Sequence, residues 1–150
     1  MIEKCIEDWH KVIRGELPDG LDALLADDVI FYSPIVFTPQ KGKALAKMYL
    51  NAAANTFSQG ARDAGAGSAS GLASGGSSFK YAKQVLSGNH AVLEFETKIG
   101  GKYVNGIDMI SCDDEGKITE FKVMIRPLQA VNMMHQQMAD MLEKMKDAPA

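Results

Sequence analysis

The stretch FKYAKQVLSGNHAVLEFETKIGGKYVNGIDMISCDDEGKITEFKVMI, residues 79–125, sets the architecture of this 150-residue chain. Four segments in it carry strand signals: Phe79 to Leu86, Ala91 to Ile99, Val104 to Cys112 and Ile118 to Ile125. Each is rich in β-branched and aromatic residues that fit a pleated, half-buried surface. Between them lie Ser87-Gly88-Asn89, Gly100-Gly101-Lys102 and Asp113-Asp114-Glu115-Gly116, turns suited to joining antiparallel neighbours. The reading is an antiparallel meander.

Helical patterns precede and follow this meander. Ile2, Cys5, Ile6, Trp9 and Ile13 recur at i, i+3, i+4 spacing, with Glu3, Lys4, Glu7, Asp8 and Lys11 on the other face. Gly15 stops that helix. Leu17-Pro18-Asp19-Gly20 makes a turn, and Leu21, Leu24, Leu25 and Ala26 predict a short second helix. Val29 to Ser33 is a short strand that Pro34 ends, because proline cannot donate to a ladder. After the turn Thr38-Pro39-Gln40-Lys41-Gly42, Leu45, Met48, Tyr49 and Ala52 predict a third helix through about Phe57. Val131, Met134, Met138, Met141, Leu142 and Met145 form an apolar stripe on a terminal helix, expected to pack over the sheet or a partner. Helices first and a meander after give an α+β domain, expected to be single over 1–150.

From Gly60 to Ser78 the composition is almost wholly Gly, Ala and Ser, broken by Arg62, Asp63 and Leu72. Such a segment buries too little to offset its ordering entropy, so residues 60–78 are expected to be a flexible loop, either a plain insertion or a lid.

Sixteen basic against nineteen acidic residues leave a net charge of −3, so nothing in the total charge recruits nucleic acid or an anionic membrane. The first residues lack a basic segment followed by an apolar one, and the expected location is cytoplasmic. Cys5 and Cys112 are expected to be reduced thiols, Cys112 as a small core hydrophobe. His10, His90 and His135 have no metal-ligand spacing, so neither metal nor cofactor is expected. His10 reads as a structural helix histidine that could reach the rim of a cavity. Tyr32, Tyr49 and Tyr81 read as ordinary aromatics of the core or an interface, each with a hydroxyl a ligand could use.

Strand parity sorts the faces. Phe121, Val123 and Ile125 share the inward face of the last strand, leaving Lys122, Met124 and Arg126 outside. Leu93, Phe95 and Thr97 likewise oppose Glu94, Glu96 and Lys98, whose charges can pair across strands, between subunits or with solvent. Between them, Asp108, Ile110 and Cys112 alternate with Ile107, Met109 and Ser111. Both sets are mostly apolar, and periodicity does not choose.

The order of two helices, Ala26-Asp27-Asp28-Val29-Ile30-Phe31, Pro34, Gly42, Gly106-Ile107-Asp108 and Asp114-Glu115-Gly116-Lys117-Ile118 resembles the SnoaL-like proteins of the nuclear transport factor 2-like superfamily. That superfamily also includes ketosteroid isomerases and limonene epoxide hydrolases. The resemblance implies a cone: a curved antiparallel sheet wrapped around N-terminal helices, here with an extra C-terminal helix, usually in a homodimer. It also implies an apolar pocket, lined by Trp9, Phe31, Ser33, Leu93, Phe95, Ile110, Phe121, Val123 and Ile125, that takes a small apolar molecule. Asp108 matches an isomerase aspartic acid that donates a hydrogen bond to a developing oxyanion, the handling of charge for which that enzyme is a standard example. The match implies that Asp108 points into the pocket as proton donor or general base; the alternative is a carboxyl that merely ties the fold together.

Two departures narrow the chemistry. The isomerases carry a general-base aspartate directly before the strand-ending proline, where this chain has Ser33, and a first-helix tyrosine where it has Trp9. The epoxide hydrolases carry an arginine two positions before the aspartate, where it has Gly106. Neither mechanism is expected. An isomerase- or cyclase-like proton transfer dependent on Asp108 remains, beside a non-catalytic ligand-binding or dimerisation module of the same fold.

Overall fold

The structure is a computed structural model that describes residues 1–17, 19–63 and 79–147, without the side chains of 55–63, 138, 141, 142 and 145–147. The elements run α1 (Ile2–Ile13), α2 (Gly20–Leu24), β1 (Leu25–Tyr32), β2 (Gln40–Lys41), α3 (Lys43–Asp63), β3 (Lys80–Ser87), β4 (His90–Ile99), β5 (Lys102–Cys112), β6 (Ile118–Arg126) and α4 (Leu128–Asp147). The strands form one curved, open sheet in the order β2-β1-β6-β5-β4-β3.

From β3 to β6 the chain is the expected meander, each strand antiparallel to the next. The first strand departs from an all-antiparallel sheet. β1 lies parallel to β6, with Phe31 beside Phe121, so the sheet is mixed. The α3-to-β6 excursion brings the chain back beside β1 in the same direction, a long-range pairing that no local pattern encodes. β1 also begins at Leu25, where a longer second helix was expected. Leu25 and Ala26 are apolar and serve either element; here both are buried in the strand. The expected turn at Gln40-Lys41 instead adds a two-residue edge strand against Ile30 and Phe31.

α3 continues through Asp63, so Gly60 to Asp63 of the expected loop are helical; 64–78 lie outside the described residues.

The face of α1 that the spacing marked is the face that is buried: Ile2, Cys5, Ile6, Trp9 and Ile13. They join Phe31 of β1, Leu93 and Phe95 of β4, Ile110 of β5 and Phe121 of β6 in one apolar core. Deleting a ring such as Phe121 from it would cost about 3–5 kcal/mol. α4 packs against α3 and the β6 end of the sheet, with Ala130 and Met134 buried. Among the described residues no helix is long and apolar enough to cross a membrane.

Candidate functional site

The site is built on the concave face of the sheet, where α1 crosses it. β5 carries Val104, Gly106, Asp108, Ile110 and Cys112 on that face, which resolves the parity that the sequence left open. Asp108 is 6% exposed. Its register neighbours are Leu93 on β4 and Val123 on β6, both apolar, so the carboxyl is flanked by hydrocarbon.

Tyr81 on β3 reaches this carboxyl. Its hydroxyl donates to Asp108 Oδ2 at 2.6 Å and accepts from Trp9 Nε1 at 3.0 Å. Three elements thus contribute one side chain each to a chain of hydrogen bonds: Trp9 from α1, Tyr81 from β3 and Asp108 from β5. A bulge places Tyr81. It stands opposite inward-facing Phe95, but the register shifts between Tyr81 and Lys83, after which Lys83 faces Glu94 and Gln84 faces Leu93. The extra residue lets Tyr81 point inward while Val85, of the same parity, is exposed.

Burial governs the electrostatics. Loss of water around Asp108 pushes its carboxyl up from the usual carboxylate range to about 7, against the opposing pull of the Tyr81 hydrogen bond. Tyr81 is raised well above an ordinary phenol by burial first and by the neighbouring carboxylate second, so it stays a donor. Among the described residues Tyr81 is the hydrogen-bond partner of the Asp108 side chain, and it engages Oδ2.

The aromatic rings fall into two groups that the Trp9–Tyr81 hydrogen bond joins. Trp9 meets Phe121 edge-on at 5.0 Å, and Phe31 lies 6.0 Å from Phe121 and 5.6 Å from Tyr49. Phe79 stacks on Phe95 at 5.3 Å and meets Tyr81 edge-on at 5.2 Å. Ile110 pairs with Phe121 across the strands, while Val123 and Ile125 are partly buried against the same core. Nine of the ten residues named from the sequence therefore gather on one side of the sheet.

The tenth, Ser33, is engaged elsewhere. Its Oγ accepts the backbone N–H groups of Ile35 at 3.0 Å and Val36 at 3.2 Å, shaping the turn after β1. Gly106 has an equally local reason. A Cβ there would sit 2.5 Å from Phe95 Cζ and 2.6 Å from the Met124 carbonyl oxygen, so an arginine has no room.

Tyr81 is the residue whose role the sequence reading missed. The available signal was its alignment with Phe79 ahead of a hairpin whose partner strand points Phe95 inward. His10 packs edge-on against Tyr81 at 5.4 Å and hydrogen-bonds Gln84 at 3.0 Å. Tyr49 is a core aromatic, and Tyr32 lies under Lys122 Nζ at 4.6 Å. Cys5 and Cys112 are free, buried and adjacent; burial pushes the Cys5 thiol up to about 12, far from thiolate reactivity. No metal-ligating cluster exists among the described residues. A surface cleft of about 450 Å³ lies apart from the Asp108 site, between the α1–α2 turn and the β5–β6 hairpin, beside Asp19, Gly20, Glu115 and Lys117.

No protein-family model matches the chain, and no curated protein matches it. Solved structures do. A steroid delta-isomerase from Pseudomonas aeruginosa is 30% identical, with a TM-score of 0.80 over 98% of this chain and 95% of that one. An uncharacterized bacterial protein with a cystatin-like fold from Silicibacter pomeroyi is 24% identical, with a TM-score of 0.71 over 95% and 86%. A nuclear transport factor 2-like protein of unknown function from Mesorhizobium loti shares the fold at 15% identity, with a TM-score of 0.61 over 84% and 91%. Identity and architecture shared over nearly two whole chains place the protein in the nuclear transport factor 2-like superfamily.

Proposed function

We propose that this chain, of the SnoaL-like type, holds a small, largely apolar molecule against the concave face of its sheet, with Asp108 donating a proton or hydrogen bond to an oxygen atom of that molecule. The observation that carries the reading is that, among the described residues, a buried carboxyl has one hydrogen-bond partner, Tyr81. Oδ2 accepts from Tyr81, so the proton of the neutral acid resides on Oδ1, which no described protein group occupies. A donor in an apolar, water-poor setting is suited to a carbonyl oxygen that gains negative charge, as in enolisation or aldol-type ring closure.

The base for such a reaction is not supplied from position 33, because Ser33 is not a base at neutral pH and its Oγ already serves two backbone amides. That observation favours a second reading, in which the site binds its ligand without turning it over. A homodimer formed through the outer face of the sheet accompanies either reading. Val85, Val92 and Met109 stand side by side across three strands there, next to Ile107 and Met124, and Val85 and Met124 are exposed.

Acedan, an apolar fluorescent aryl ketone with a carbonyl acceptor, is the probe. The acid form of Asp108 exists below about pH 7, so wild-type protein should bind acedan roughly fivefold more tightly at pH 5.5 than at pH 8.5, one neutral hydrogen bond's worth. Asp108→Asn should abolish that pH dependence. Wild-type binding that ignores pH, or no binding at all, would overturn the proposal.

A further inference from the structure

We propose that Trp9 is a positioning residue for Asp108: its indole N–H locks the Tyr81 hydroxyl as a donor to Oδ2, so that the acid's own proton is held on Oδ1 and presented to the ligand. The inference rests on the acid role of Asp108 proposed above and adds a device that controls it.

A phenol hydroxyl beside a neutral carboxylic acid has two arrangements. The phenol can donate to the acid, or the acid can donate to the phenol; the two differ in which carboxyl oxygen carries the proton. An indole N–H removes the ambiguity because it donates and never accepts. Trp9 Nε1 meets Tyr81 Oη at 3.0 Å, so the Tyr81 hydrogen turns away from Trp9 and towards Asp108 Oδ2 at 2.6 Å. A proton on Oδ2 would then oppose that hydrogen, and it is displaced to Oδ1. Polarisation along the chain acts in the same direction, since a hydroxyl that accepts a hydrogen bond donates a stronger one.

Packing holds the lock in place. Trp9 is 7% exposed, on the buried stripe of α1 and edge-on to Phe121. The Tyr81 ring is flanked by Phe79 and His10, and His10 is tied to Gln84. Among the described residues, the titratable groups packed against the relay are Tyr81 from β3 and His10 from α1. β4 and β6 present Leu93 and Val123 to Asp108. The residue that aligns with an oxyanion-donating tyrosine in the isomerases thus spends its one donor on Tyr81, and Asp108 faces the ligand as the terminal donor.

The test follows the Asp108 carboxyl by ¹³C NMR pH titration in wild type, Trp9→Phe, Tyr81→Phe and the double variant. Tyr81→Phe should make Asp108 roughly a tenfold weaker acid, and Trp9→Phe roughly threefold weaker, by loss of hydrogen bonds that favour the carboxylate. In the Tyr81→Phe background, Trp9→Phe should add nothing. Equal effects of Trp9→Phe with and without the Tyr81 hydroxyl, or no effect at all, would overturn the positioning role. A benzothienylalanine in place of Trp9, which keeps the ring shape and removes the N–H, should reproduce Trp9→Phe if the phenylalanine variant folds poorly. A wild-type carboxyl that titrates near 4 would instead overturn the acid reading itself, so the two failures are distinguishable.

Discussion

Asn105 and Asp108 stand three residues apart on β5, on opposite faces of the sheet, and each is 6% exposed. Their surroundings differ in one respect. Asn105 Nδ2 donates to Glu94 Oε2 and to the Phe95 carbonyl oxygen, both at 3.0 Å, and its Oδ1 accepts from Arg126 Nε at 2.8 Å. Asp108 has Tyr81. A buried polar group with its hydrogen-bonding capacity filled cross-links strands and needs nothing more; among the described residues the Asp108 carboxyl has a partner at Oδ2, and the ligand-binding role proposed above rests on Oδ1. The first group strengthens the fold, and the second weakens it at neutral pH.

The largest effect is expected at Gly106, on the strand between them. Gly106→Ala drives a methyl against the Phe95 ring, the Ile125 side chain and the Met124 carbonyl oxygen, and the carbonyl, being backbone, cannot yield cheaply. A loss of about 3 kcal/mol follows, or a fall of about 8 °C in Tm by thermal denaturation. A variant as stable as wild type would mean that the two faces are less closely braced than the geometry implies. Asn105→Ala should cost about 2 kcal/mol, since it strips the Phe95 carbonyl of a partner and releases Glu94 and Arg126 to water. That loss should be the same at pH 5 and pH 8.

Asp108 should behave in the opposite way. Its carboxyl is raised to about 7 in the folded chain and is ordinary in the unfolded one, so between those values the native state holds the extra proton. Stability is fully present below about pH 4 and declines as pH rises towards 7, by on the order of 2 kcal/mol between pH 5 and pH 8. Asp108→Asn removes the titrating group. Chemical denaturation at the two pH values should give a sloping wild type and a level variant; parallel slopes would place the pH dependence elsewhere.

The contrast between the two residues was only half legible in the sequence. Alternation along β4 and β6 sorted Leu93, Phe95, Phe121, Val123 and Ile125 inward, because hydrophobic and charged residues take turns there. On β5, Ile107 and Met109 are as apolar as Ile110 and Cys112, and the resemblance to a known fold had to supply the orientation of Asp108. The fold reads through in its helices and its meander because those elements are local. The parallel pairing of β1 with β6 is long-range, and strand direction leaves no mark on composition. Tyr81 was obscured by the bulge after it, which breaks the period-two rule at the one place where a hydroxyl turns inward. Ser33 failed for another reason: a serine before proline satisfies its own turn as readily as it serves a ligand.

The claim that Asp108 is a carboxylic acid that keeps its proton up to about pH 7 is tested most directly by its own titration. In ¹³C-labelled wild-type protein, the Asp108 carboxyl resonance should move with a midpoint of about 7. A midpoint near 4 would show a carboxylate that is ionised across the neutral range, and the proposed proton donor would no longer be available.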